Sequence, residues 1–197
     1  MTQPDQSPVS ADAEPPSSQP PGPDVRLRVQ RACAADDLPD DAQLATWVRS
    51  ALAAAPARQG STRLRAAVTL RIVDTGEGTA LNQRYRGKPG PTNVLSFPFE
   101  PPAGLPPEAL DDLGAELGDL VICAPVLRRE AAAQGKTLAA HTAHLVVHGT
   151  LHLLGYDHQD AVEATAMEAL ESTILSGLGF ATPYEVPEEP HDERSSA

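Results

Sequence analysis

The spacing of apolar residues divides the chain into a patterned middle and two unpatterned ends. Val25-Arg-Leu-Arg-Val-Gln-Arg31 alternates and predicts a strand with Val25, Leu27 and Val29 turned inward. From Pro39 the period lengthens, and Leu44, Trp47, Val48 and Leu52 recur at helical spacing. Residues 62–73 alternate again, with Leu64, Ala66, Val68, Leu70 and Ile72 on one face and Arg63, Arg65, Thr69 and Arg71 on the other. A short helix from about Gly78 to Arg84 follows, then a Gly-Lys-Pro-Gly-Pro turn over 87–91. Val94 to Phe99 reads as a strand that Pro98 confines to an edge or a bulge. Beyond a Pro-rich loop at 101–114, Leu117 to Cys123 is a further strand, and Pro125 to about Gln134 a helix stopped by Gly135. Thr137 caps a long helix to Leu154, and a last helix spans about 161–176.

The order β-α-β-α-β-β-α-α-α predicts an α/β (α+β) fold: a single domain with a small mixed sheet packed against helices, one of them central and buried. The domain runs from about 25 to 184. Residues 1–24 are rich in Pro, Ser, Gln and Asp and bury too little to offset their ordering entropy, so they are expected to be a disordered tail. The acidic segment 185–197 has the same character.

Composition changes this picture little. Of 197 residues 41% are hydrophobic but only 4% aromatic, so Leu, Val, Ile and Ala must do most of the packing. No stretch approaches the roughly 18 apolar residues of a membrane span, and no basic start precedes an apolar run, so a cytoplasmic protein is expected. Cys33 and Cys123 sit in apolar segments and read as reduced core residues. The net charge of −12 argues against a nucleic-acid partner, yet residues 1–24 and 181–197 each contribute −4 of it.

The chemistry lies in the long helix. His141, His144, His148 and His152 follow one another at steps of three, four and four, on one stripe at ~100° per residue. Two His four apart can share a metal ion. Gly155 can end the helix in a left-handed conformation, and His158 lies three residues beyond, able to close on the same ion. His148, His152 and His158 thus form a three-ligand set for one Zn2+ per chain, leaving a fourth position for water. Ordinary buried histidines are the bland alternative; three at this spacing around a Gly turn favour the metal. For His141 and His144, support of the ligands or contact with substrate on one hand, and a satisfied core position on the other, stay equally open. Zinc peptidases with similar spacing carry a glutamate after the first His as general base. Here that position is Gly149, and although Asp157, Asp160 or Glu163 could substitute, nothing singles one out, so peptide hydrolysis is disfavoured.

Three blocks together resemble a known family. His148-Gly-Thr-Leu-His-Leu-Leu-Gly-Tyr-Asp-His158, Leu81-Asn-Gln-Arg-Tyr-Arg-Gly-Lys-Pro-Gly-Pro-Thr-Asn-Val-Leu-Ser-Phe97 and Leu117-Gly-Asp-Leu-Val-Ile-Cys123 are similar to the YbeY-type endoribonucleases, the rRNA maturation factors. The resemblance covers about 25 to 184, leaving both tails outside. It implies a small α/β domain with zinc at the base of a cleft, hydrolysis of single-stranded RNA, and a role in 16S rRNA 3′-end maturation and ribosome quality control. It also implies partners: the 16S rRNA precursor, the small ribosomal subunit, ribosomal protein uS11 and the GTPase Era. The family's functionally important arginine matches Arg86. Arg86 is accordingly the candidate catalytic residue, gripping phosphate across the cleft from the metal.

Local charge fits that reading. Residues 61–90 carry Arg63, Arg65, Arg71, Arg84, Arg86 and Lys88 against Asp74 and Glu77. If the first two strands pair with their polar faces together, Arg26 and Arg28 extend a basic stripe for an RNA backbone; a plain solvated face is the alternative. The missing general base also leaves room for a ribosome assembly factor whose zinc is mainly structural, and less so for a zinc peptidase.

Overall fold

A computed structural model describes residues 24–55, 65–104, 106, 116–157 and 160–182. Outside the described residues lie both expected tails apart from Asp24, the segment 62–64, most of the Pro-rich loop, and His158. The elements are β1 (Asp24–Arg31), α1 (Asp41–Ala54), β2 (Arg65–Val73), α2 (Thr75–Arg86), β3 (Val94–Pro98), β4 (Glu116–Cys123), α3 (Ala124–Ala133), α4 (Leu138–Leu153) and α5 (Ala161–Gly177). The sheet order is β1-β2-β4-β3; β1, β2 and β4 run parallel, and β3 is an antiparallel edge. This is the single-domain α/β fold with a small mixed sheet that the sequence predicts.

Helix starts follow side-chain caps. Asp40 accepts from Gln43 N at 2.8 Å while Gln43 accepts from Asp40 N at 3.2 Å, a reciprocal pair that begins α1 just after Pro39. α2 starts earlier than its apolar pattern suggests, at Thr75, because Asp74 accepts from Glu77 N at 2.8 Å. Its first turn, Thr-Gly-Glu-Gly, has no apolar period to reveal it.

Strand alternation sorts side chains into two layers. Val68, Leu70 and Ile72 of β2 and Leu120 and Ile122 of β4 point into the main core, packed with α1, α4 and α5. Trp47 of α1 meets Phe180, just past α5, edge-on at 5.8 Å and ties those helices together. On the other face Val73, Leu95, Val121, Cys123 and Val126 make a smaller cluster beside α2. Both cysteines are free, and burial pushes both thiols up, so they stay protonated at neutral pH. Arg128 of α3 is bonded to Asp37 in the β1–α1 loop, holding that carboxyl below its usual range. No described helix is long and apolar enough to cross a membrane.

The β3–β4 pairing demands a glycine. Gly118 sits opposite Pro98 with φ of 130°, and a Cβ there would collide with the Phe97 carbonyl oxygen. Gly118→Ala is therefore expected to cost about 3 kcal/mol, read as a lowered denaturation midpoint at unchanged slope; an unshifted midpoint would show that the edge strand can move aside.

Candidate metal centre

Helix α4 carries the candidate ligands, and one of its faces is pressed onto the sheet. Thr137 caps it, accepting from Ala140 N at 3.1 Å. Gly149 is the point of closest approach: a Cβ there would lie 2.9 Å from Leu120 Cδ2 and 3.2 Å from Ser96 Oγ. Ser96 of β3 also donates to Gly149 O at 3.3 Å. A peptidase glutamate at this position would therefore be driven into the core, a steric argument added to the missing base. Asp160 is spent as well, accepting from Val162 N and Glu163 N to start α5.

With Gly149 against the sheet, His144 and His148 face α5. There they meet Glu171, whose side chain is wholly buried. His148 Nδ1 lies 2.6 Å from Glu171 Oε1, and His144 Nε2 lies 3.5 Å from Oε2. On the other side of the His148 ring, Nε2 lies 3.1 Å from Nε2 of His152. Ligand atoms of His144, His148 and Glu171 all fall within 4.8 Å of one another, so this cluster could hold a metal ion.

Two placements of an ion compete, and the distances separate them. Nitrogen ligands of one tetrahedral zinc stand ~3.3 Å apart, given Zn–N bonds of ~2.0–2.1 Å. The 3.1 Å between the two Nε2 atoms fits a shared ion. The 2.6 Å between His148 and Glu171 is too short for two ligands and is a charge-assisted hydrogen bond. That bond keeps the proton on Nδ1 and directs the Nε2 lone pair towards His152. His148 and His152 are thus a second pair able to share an ion, beside the His144–His148–Glu171 cluster.

His158 lies outside the described residues; Gly155, which precedes it, takes φ of 81° as the left-handed turn requires. His141 is turned away from the site: its Nε2 contacts Glu130 Oε2 at 3.0 Å, and Asn93 Nδ2 donates to the same oxygen at 3.0 Å. It is a buried tie between α4, α3 and the start of β3. Arg86 is exposed in the last turn of α2, and among the described residues it makes no ion pair. The turn after it is anchored by buried Asn82, which donates to Gly90 O at 2.9 Å and Lys88 O at 3.3 Å.

The basic stripe needs correction. β1 and β2 do pair with polar faces together, Arg28 opposite Thr69 and Gln30 opposite Arg71. Arg71, however, is gripped by Glu77 at 2.7 and 3.1 Å and bonded to Gln30 at 2.8 Å, so its charge is largely cancelled. Arg63 and the Arg65 side chain lie outside the described residues, which leaves Arg26 and Arg28 on this face. Glu171 is the residue that sequence reasoning missed. Its signal was there: Met167, Glu171, Ile174 and Leu175 share one helical face, and a carboxylate on an apolar face needs a partner.

Gly149→Ala is expected to lower stability by about 1 kcal/mol, since overpacking costs ~1–3 kcal/mol and helix propensity returns up to ~1. Urea denaturation checks this, and a stabilised variant would show that α4 has room to spare.

Comparison with known proteins adds an independent line. The family model "Endoribonuclease YbeY" matches residues 31–179. A protein of Alkalilimnicola ehrlichii named "Endoribonuclease YbeY" is 57% identical over 152 residues, 77% of this chain and 86% of that protein. One of Alcanivorax borkumensis with the same name is 52% identical over 162 residues, 82% of this chain and 87% of its own. The solution structure of TM1509 from Thermotoga maritima aligns with 81% of this chain and 99% of its own, at 19% identity and a TM-score of 0.45.

Proposed function

The chain belongs to the YbeY endoribonuclease family, and on that footing we propose that it is a zinc-dependent endoribonuclease of single-stranded RNA. Membership makes it a nuclease, a hydrolase of phosphodiester bonds. The finer reading is cytoplasmic action in 16S rRNA 3′-end maturation and ribosome quality control, on the small subunit, with uS11 and Era as partners. One domain over 25–184 does the chemistry, and the two tails lie outside it. The observation that best supports the metal reading is the His148–His152 pair at 3.1 Å, backed by a buried carboxylate.

In this proposal His148, His152 and His158 hold the ion. Bound zinc supplies Lewis acidity, neutralising charge on a phosphoryl oxygen and lowering the pKa of water to about 7. The protein's own groups do the rest. Glu171 fixes the tautomer and orientation of His148, and its burial keeps that bond from being exchanged for water. Arg86 has no competing carboxylate among the described residues, so its planar guanidinium is available to take two phosphate oxygens as charge builds on them. The anchored 87–91 turn limits how far Arg86 can wander from that task.

Three outcomes are expected. His152→Ala and chelation should each abolish cleavage of single-stranded RNA, with zinc content falling in both. Arg86→Ala should reduce kcat/KM by about 10²–10³ while zinc content is kept, and Arg86→Lys should recover little of it. Glu171→Gln should weaken zinc about 10–100-fold, measured by competition with a chromogenic chelator. Purified protein that holds zinc yet leaves RNA intact would overturn the nuclease reading in favour of a structural zinc.

A further inference from the structure

The sheet face opposite α4 is only partly covered by α2, and the uncovered part is a groove of about 620 Å³. Its floor and one wall are apolar: Val121 and Phe97 from the sheet, Leu81 and Tyr85 from α2. Tyr85 and Phe97 meet edge-on at 4.9 Å, and Tyr85 is 55% exposed, among the most exposed large apolar side chains described. The opposite wall is polar, with Arg28, Gln30, Thr69 and Asp119. In a chain with three Tyr and three Phe, two of these rings border one groove.

Charge is divided within it. Arg71 and Glu77 are spent on each other. Arg28 and Asp119 are both exposed, and no ion pair links either to another described residue. Beside the groove, the Arg84 guanidinium stands 5.4 Å from the Tyr85 ring centre. An exposed ring next to a guanidinium suits a base with its phosphate; Thr69 and Asp119 suit the amino and hydroxyl groups of a base edge and ribose. A lipid or an apolar peptide would leave Asp119 and Arg28 without partners.

The edge strand connects this groove to the metal centre. Phe97 of β3 faces the groove, while its neighbour Ser96 faces the other way and bonds Gly149 O, next to His148. β3 therefore lines the groove on one side and touches the helix that carries His148 on the other.

From this we infer that the groove holds a segment of single-stranded RNA away from the point of cleavage, with a base stacked on Tyr85 and the chain crossing β3 to reach His148 and His152. This inference rests on the nuclease reading above for its substrate. It makes Tyr85 and Arg28 positioning residues whose contribution lies in binding.

Two measurements on the full zinc-loaded chain test it. The first is ultraviolet crosslinking to a single-stranded RNA 20-mer, with the crosslinked peptide found by mass spectrometry. The second is steady-state cleavage of the same RNA by Tyr85→Leu and Tyr85→Phe. The expected result is crosslinking at Tyr85 or Phe97 and a KM raised at least about 5-fold in Tyr85→Leu, the loss of one stacked base. Tyr85→Phe, which keeps the ring, should restore KM. Crosslinks confined to other elements, with KM unchanged in Tyr85→Leu, would overturn the groove and leave the nuclease reading standing. Crosslinks at Tyr85 without cleavage by the unaltered protein would uphold the groove and remove the nuclease reading.

Discussion

Glu171 has no exposure to solvent, and a carboxylate in that position must be compensated by the groups around it. The compensation comes from His148 at 2.6 Å and His144 at 3.5 Å, both on the facing helix. This constraint sets how α4 and α5 meet. It also decides which nitrogen of His148 carries a proton, and so on which side of the ring a cation can sit. A stripe of histidines alone would leave each ring free to choose its tautomer. The Glu171 carboxylate removes that freedom from His148.

The rotation of α4 about its axis follows from a second contact. Gly149 brings the helix backbone against Leu120 and Ser96, with no room for a side chain between. Once that face is seated, the histidines at steps of three and four must turn towards α5. The same glycine occupies the position where a peptidase keeps its general base. Steric need and chemistry therefore agree: the residue that seats the helix is also one that cannot abstract a proton.

The two sheet faces then take different tasks. One is closed by α1, α4 and α5 and carries the core and the candidate metal centre. The other is left half-open by α2, with Arg71 neutralised by Glu77 and Arg28 exposed. β3 lies at the border, its alternate residues facing the groove and the ligand-bearing helix. A single edge strand thus touches both the groove and the helix of the candidate metal centre.

Much of this was legible along the chain, for a definite reason. Period-two alternation in β1 and β2 and the 3.6-residue spacing in α1 and of the α4 histidines are imposed by backbone geometry. The same geometry places His148 and His152 within reach of one ion whatever surrounds them. The first turn of α2 escaped because Thr75-Gly-Glu-Gly has no apolar period, and its start depends on the Asp74 cap. Glu171 lies 23 residues after His148, and nothing in the local pattern states that they touch. Nor could the row of arginines on β2 reveal that Glu77 would fold back onto Arg71. Spacing within one element is fixed by its own helix or strand geometry, so residue order carries it. Contacts between elements depend on how separate faces close over one core, and that closure chose the partner of His148, the cancelled charge at Arg71 and the groove beside Tyr85.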